Sequence, residues 1–166
     1  MRAPQLSANL CPMSTFTATA RSIGGSLRHE VDVNGRHTII TDEPESLGGT
    51  DTGPAPHELL AAMVSACVST MVVLYARRHG WDLNEMRVDV EYDTDSTPRA
   101  VAVTVHLPVG LTPDQVKRLG RVAATCPVKR AFEAGILVSQ ELISGPWRRS
   151  RRLSRGRQAS GGGPTD

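Results

Sequence analysis

Residues 59–76 carry no charged side chain, and this run decides most of what the chain can build. It reads Leu-Leu-Ala-Ala-Met-Val-Ser-Ala-Cys-Val-Ser-Thr-Met-Val-Val-Leu-Tyr-Ala, and its flanks are punctuated as helix ends. Pro56 suits a first helical position, where a missing N–H costs nothing. Glu58 places a carboxylate in the first turn, at the positive end of the helix dipole. Arg77, Arg78 and His79 fill the last turn, and Gly80 can supply a left-handed cap. Eighteen uncharged residues reach the lower limit of a membrane span. Ser65, Cys67, Ser69 and Thr70 interrupt the run, however, and clearly alternating segments surround it. The better reading is a helix buried on most sides, by a sheet and by a second subunit. A stripe that apolar, left open in a small monomer, is an association surface, so a homodimer is expected and a membrane span is not.

The rest of the chain supplies the sheet. Residues 28–33 and 36–41 flank Asn34-Gly35, the strongest short signal of a β-hairpin, because both residues accept positive φ. A strand is expected to begin near Ser14. Residues 43–56 form a Gly/Pro/Thr-rich loop. Val88, Val90 and Tyr92 share one face of a strand, and Val101, Val103, Val105 and Leu107 share one face of the next. Thr112-Pro113-Asp114-Gln115 is a capping box that opens a second helix, running to about Thr125. Cys126-Pro127 opens a short third helix ending at Gly135. Residues 136–143 read as a last strand. The order is an α+β pattern with antiparallel sheet around a long central helix.

Composition narrows the setting. Residues 145–166 hold six arginines against one aspartate, so the remaining chain is mildly acidic despite a net charge of +2. The basic character belongs to a tail whose Arg, Ser and Gly content predicts disorder. Residues 1–13 lack periodicity and read as a disordered extension, which leaves 14–144 as the domain. Three cysteines without a secretory leader argue for a reducing cytoplasm and against a structural disulfide framework. The cysteines and five histidines show no compact ligand spacing, so no metal is expected. The isolated glycine pairs are turn glycines and imply no phosphate loop or cofactor.

Two thiols stand in opposite settings. Cys67 lies within the apolar run, whereas Cys126 lies where a helix begins, and a helix start favours thiolate. Each has an ordinary explanation: a small core residue, and a convenient cap. Glu58 is likewise explained by the dipole, and His57 by a polar first turn. If the fold brings the two thiols together, the chain has a redox-active pair.

Several stretches together resemble the OsmC/Ohr family, which covers osmotically inducible protein C and the organic hydroperoxide resistance proteins. They are Gly48-Gly49-Thr50-Asp51-Thr52-Gly53-Pro54-Ala55-Pro56-His57-Glu58-Leu59-Leu60-Ala61-Ala62, then Ser65-Ala66-Cys67, Tyr75-Ala76-Arg77-Arg78-His79-Gly80-Trp81, and Cys126-Pro127-Val128. The resemblance covers roughly residues 15–143. It implies an intertwined homodimer of α+β subunits that reduces organic hydroperoxides in preference to hydrogen peroxide, without metal or flavin, and is reset by a cellular dithiol. By position Cys67 is similar to the peroxidatic cysteine and Cys126 to the resolving one. An arginine from the early hairpin region and a first-turn glutamate complete such a site. Arg28, following Gly24-Gly25, is the first candidate for the arginine, with Arg21 and Arg36 behind it, and Glu58 is the candidate glutamate.

Two departures matter. The Ohr glutamate position holds His57 here, and Glu58 comes one residue later, a turn of about 100° on a helix. The Pro-x-acid-Leu-Leu form resembles a broader OsmC-like subgroup. The competing reading is a dimer of the same fold with weak or no peroxidase activity, acting as a binding module. Its arginines at 148, 149, 151 and 152 would touch nucleic acid or acidic membrane. Trp147 alone interleaves them, which argues against nucleic acid as a partner.

Overall fold

The computed structural model describes residues 15–142 and Ser144. The chain divides into two units, Met1–Ile136 and Leu137–Asp166. The expected extension at 1–13, with Cys11, and the arginine-rich tail at 145–166 lie outside the described residues.

The first unit is α+β. Strands β1 (Ala18–Ser22), β2 (His29–Val33) and β3 (His37–Thr41) form one antiparallel sheet in the order β1-β2-β3. A 3-10 turn at Glu45–Leu47 and the helix α1 (Pro56–Arg78) follow. Strands β4 (Arg87–Asp93) and β5 (Ala100–His106) form a second antiparallel sheet, and α2 (Pro113–Ala124) and α3 (Pro127–Ala134) complete the unit.

The hairpin turn forms as its sequence dictates, with φ of 56° at Asn34 and 66° at Gly35. The Arg36 N–H closes it by donating to the Val33 carbonyl at 3.1 Å. Val33 pairs with His37, so Arg36 belongs to the connection and not to the strand expected to begin there. The first strand also starts later than Ser14, at Ala18. Ahead of it, Thr17 exchanges hydrogen bonds with Asn34 through that residue's side chain and N–H, both at 2.9 Å.

Between β3 and α1 the chain is organised by one carboxylate. Asp42 is buried and accepts hydrogen bonds from the N–H groups of Glu43 (2.9 Å), Thr50 (3.1 Å) and Thr52 (3.2 Å), and from both threonine hydroxyls. The Thr50 hydroxyl foremost, then the Thr52 and Glu43 donors, hold its acidity well below the usual carboxylate range, and burial opposes them only in part. Two glycines permit the close folding. A Cβ on Gly49 would collide with the Glu43 carbonyl, and one on Gly53 would stand 2.5 Å from the Ile40 carbonyl oxygen.

α1 starts at Pro56, and the Glu58 carboxylate accepts from the Ala55 N–H at 2.8 Å. It buries Val64, Val68, Val72 and Ala76, one residue per turn, together with Leu83, Leu119 and Cys126. β4 and β5 pack their inward valines against this cluster, and the Ser65 hydroxyl pins helix to sheet through the Val88 carbonyl at 2.9 Å. Each fully buried aliphatic side chain contributes about 1.5–3 kcal/mol. Among the described residues, none from β1, β2 or β3 belongs to this cluster. By length and composition α1 could cross a membrane, but the core helix of a soluble protein has the same character.

α2 carries the expected capping box: Thr112 Oγ1 accepts from the Gln115 N–H at 3.3 Å, and Gln115 Oε1 accepts from the Thr112 N–H at 2.7 Å. The last strand expected at 136–143 is not formed. Residues 136–142 have no regular structure, and Ile143 lies outside the described residues. Apolar β-formers supply propensity, but a strand exists only when paired, and Leu137, Val138 and Leu142 are exposed.

Candidate functional site

The site is built where the middle of α1 meets the start of α3. Cys67 sits mid-helix, one residue before the buried Val68, and is half-buried. Cys126 is fully buried as the residue that caps α3, and its carbonyl accepts the first helical bond of α3, from the Arg130 N–H at 3.0 Å. Pro127 then fixes the entry into the helix.

These elements place the two thiols side by side. Both are free, and Cys67 packs against the cluster that contains Cys126, close enough for each thiol to influence the other. The N–H of Val128, a first-turn donor of α3 with no partner inside its own helix, lies near Cys67 and favours its charged form. The start of the short helix thus lies beside the thiol of α1. Burial raises the Cys67 pKa, the neighbouring Cys126 thiol raises it further, and the Val128 N–H partly offsets both. Within one chain the net direction is upward.

The remaining sequence candidates are not drawn to this pair within one chain. Arg28 follows the β1–β2 turn, is partly buried, and exerts no charge effect on Cys67. Its Nε is buried without a hydrogen-bond partner, an uncommon and costly state for such a donor. Arg21 faces Glu30 at 3.9 Å on an exposed surface, and Arg36 is exposed at the hairpin turn. Glu58 is occupied at the Ala55 N–H, nine residues and about 13 Å along the axis from Cys67. His57 is exposed and lies against the Tyr92 ring at 6.1 Å, as a polar first-turn residue does. Among the described residues, no group of three His, Cys, Asp or Glu side chains is disposed to hold a metal ion.

Sequence reasoning missed two features. The Val128 N–H is a backbone group whose aim depends on how α3 docks. Asp42 had only the weak signal of Thr50 and Thr52 with hydroxyls at alternate positions.

The chemistry open to the pair follows from its geometry. A half-buried thiol can be reached from solvent while a fully buried one waits behind it, so oxidation of the first can be answered by the second.

Comparison with known proteins agrees with this arrangement. A family model described as OsmC-like protein matches residues 49–141, more than half of the chain. An uncharacterized protein of Acinetobacter baylyi is 27% identical over 135 residues, covering 78% of this chain and 94% of that protein. Among solved structures, an organic hydroperoxide resistance protein of Legionella pneumophila is 26% identical, covering 71% of this chain and 88% of its own, with a TM-score of 0.55. One from Elizabethkingia anophelis is 27% identical, covering 74% and 90%, with a TM-score of 0.53. The order of elements, the paired thiols and the family match lead to one conclusion: the chain belongs to the OsmC-like family.

Proposed function

We propose that this protein is a thiol-dependent peroxide reductase acting on organic hydroperoxides in preference to hydrogen peroxide. The observation that carries the reading is the contact between Cys67 and Cys126. The Cys67 thiolate attacks the terminal peroxide oxygen, the O–O bond breaks, and the alkoxide leaves as alcohol after taking a proton. Cys67 is oxidised by two electrons to a sulfenic acid. The Cys126 sulfur then attacks the Cys67 sulfur, water leaves, and a disulfide closes. A cellular dithiol reduces it by thiol–disulfide exchange. Two relatives named for organic hydroperoxide resistance support the substrate class.

The same reading includes a cytoplasmic homodimer. Its support is the face of α1 that the chain leaves open, with Ala62, Met63, Ala66 and Thr70 exposed, and the absence of the β1–β3 sheet from the core. In the dimer the unpartnered Arg28 would serve a thiol across the interface.

A second reading has one observation in its favour. Cys67 packs against the apolar core, and burial there disfavours its thiolate, which suits a family member of weak peroxidase activity.

Stopped-flow oxidation with cumene hydroperoxide, followed by mass mapping, separates the two. One equivalent should convert the protein to the Cys67–Cys126 disulfide. Cys67→Ser should abolish turnover, and Cys126→Ser should react once and then stall or over-oxidise. Wild-type turnover in both variants would end the two-cysteine mechanism. A disulfide that forms only over hours would favour the weak-activity reading.

A further inference from the structure

A cavity of about 610 Å³ lies along the seam of α1 and α2, within the ~300–1,000 Å³ range of small-molecule sites. Met71 and Leu74 of α1 and Val122 of α2 give it apolar walls, and Tyr75 adds a ring held in place by stacking on His79 at 4.2 Å. Three arginines border this apolar surface: Arg78, Arg118 and Arg121. Arg118 is paired with Asp114 at 2.7 Å. Among the described residues, Arg78 and Arg121 have no carboxylate within ion-pair distance.

Basic residues in a last helical turn complement the dipole wherever their guanidinium groups point. The dipole does not require that two from different helices border one apolar groove. The complement of such a groove is a molecule with a long hydrocarbon body and a single anionic head. Guanidinium forks match a carboxylate bidentately, and an alkyl chain gains from apolar walls in proportion to the area it buries.

We propose that the α1–α2 groove binds a long-chain fatty acid, with its tail along Met71, Leu74 and Val122 and its carboxylate held by Arg78 and Arg121. Neither cysteine lines the groove, although Met71 stands one helical turn beyond Cys67 and Thr125 beside Cys126, and its occupancy needs neither peroxide nor reductant. Its occupant is a free acid, because two guanidinium groups beside one half-open apolar groove complement a single carboxylate and the chain attached to it.

The test is fluorescence titration of the full chain with 11-(dansylamino)undecanoic acid, followed by displacement. The probe should saturate at one site per chain, and palmitate should displace it better than hexadecanol, which has the same tail length without the charge. Arg78→Ala/Arg121→Ala should weaken binding about tenfold or more, as loss of charge-assisted hydrogen bonds does. Both arginines are exposed, so the fold should survive, as circular dichroism would show. Arg77→Ala, which removes an arginine of the same helical turn outside the groove, should bind like wild type.

Lack of saturable binding would overturn the proposal. So would equal displacement by hexadecanol, or an unchanged affinity in the double variant. A double variant that changes oligomeric state by light scattering would assign the groove to a second copy of the chain. Probe binding lost to anionic vesicles, with the protein sedimenting on them, would assign it to a membrane.

Discussion

The two sheets of this chain are held by different means. β4 and β5 lie on α1 and send Val88, Val90, Val103 and Val105 into the cluster built on Val64, Val68 and Val72. β1, β2 and β3 are equally well hydrogen-bonded, with five paired positions in each ladder, yet none of their side chains joins that core. One region is stabilised by burial and the other by its ladders and by the Asp42 clamp at its end. Ladder hydrogen bonds exchange partners with water and yield little net free energy, and isolated small sheets are marginal. A sheet of this kind contributes no side chain to the core cluster of the single chain, which is what the proposed dimer would complete. The thiols sit in the region that is complete, and the unpartnered Arg28 borders the one that is not.

The largest expected effect tests this contrast directly. Leu119→Ala removes a fully buried side chain from the core and should cost about 2–5 kcal/mol in urea unfolding. Ile39→Ala, on the outer sheet and partly exposed, should cost about 1 kcal/mol or less in dilute protein. If a second copy covers that face, the Ile39→Ala cost should rise with protein concentration. Equal losses for the two variants at every concentration would show that the outer sheet has its own interior.

What the sequence made legible follows the same division. α1 was readable to its ends because Pro56, Arg77-Arg78 and Gly80 act locally, and so was the capping box at Thr112. The hairpin turn was readable because few residues tolerate positive φ at two successive positions; its length was misjudged by one residue, since register depends on how the ladder resumes. The last strand failed because pairing depends on an edge and not on the segment. The meeting of Cys67 with Cys126 rested on family resemblance, since no local rule brings residues so far apart into contact. The Val128 N–H and the Asp42 clamp were not readable, because each depends on packing that joins separated segments.

A smaller effect should come from the clamp. The folded-state acidity of Asp42 lies below that of an unfolded aspartate, so its contribution is present above the unfolded value, about pH 4. It is lost as pH falls through the folded value. Wild-type stability should decline progressively from about pH 5 downward. Asp42→Asn should be less stable at neutral pH and show a flatter acid limb. Coincident acid limbs for the two proteins would remove Asp42 from the account. Gly49→Ala should resemble Asp42→Asn at neutral pH, because the collision with the Glu43 carbonyl opens the same loop.

The smallest and sharpest effect concerns which chain supplies the cation. Burial and Cys126 raise the Cys67 pKa, and only the Val128 N–H lowers it within one chain. If Arg28 acts across the dimer, Arg28→Ala should move the alkylation of Cys67 by iodoacetamide to higher pH, since one stabilising charge is lost while burial stays. The Arg28→Ala chain keeps Cys67, and a Cys67→Ser chain keeps Arg28. After unfolding and refolding the two together, the mixed dimers should contain one intact site, formed by Arg28 of one chain and Cys67 of the other. Alkylation in those dimers should return to the wild-type pH profile. A shift in Arg28→Ala without restoration would place the arginine and the thiol in the same chain. No shift at all would leave the Val128 N–H as the activating group and detach the outer sheet from the chemistry.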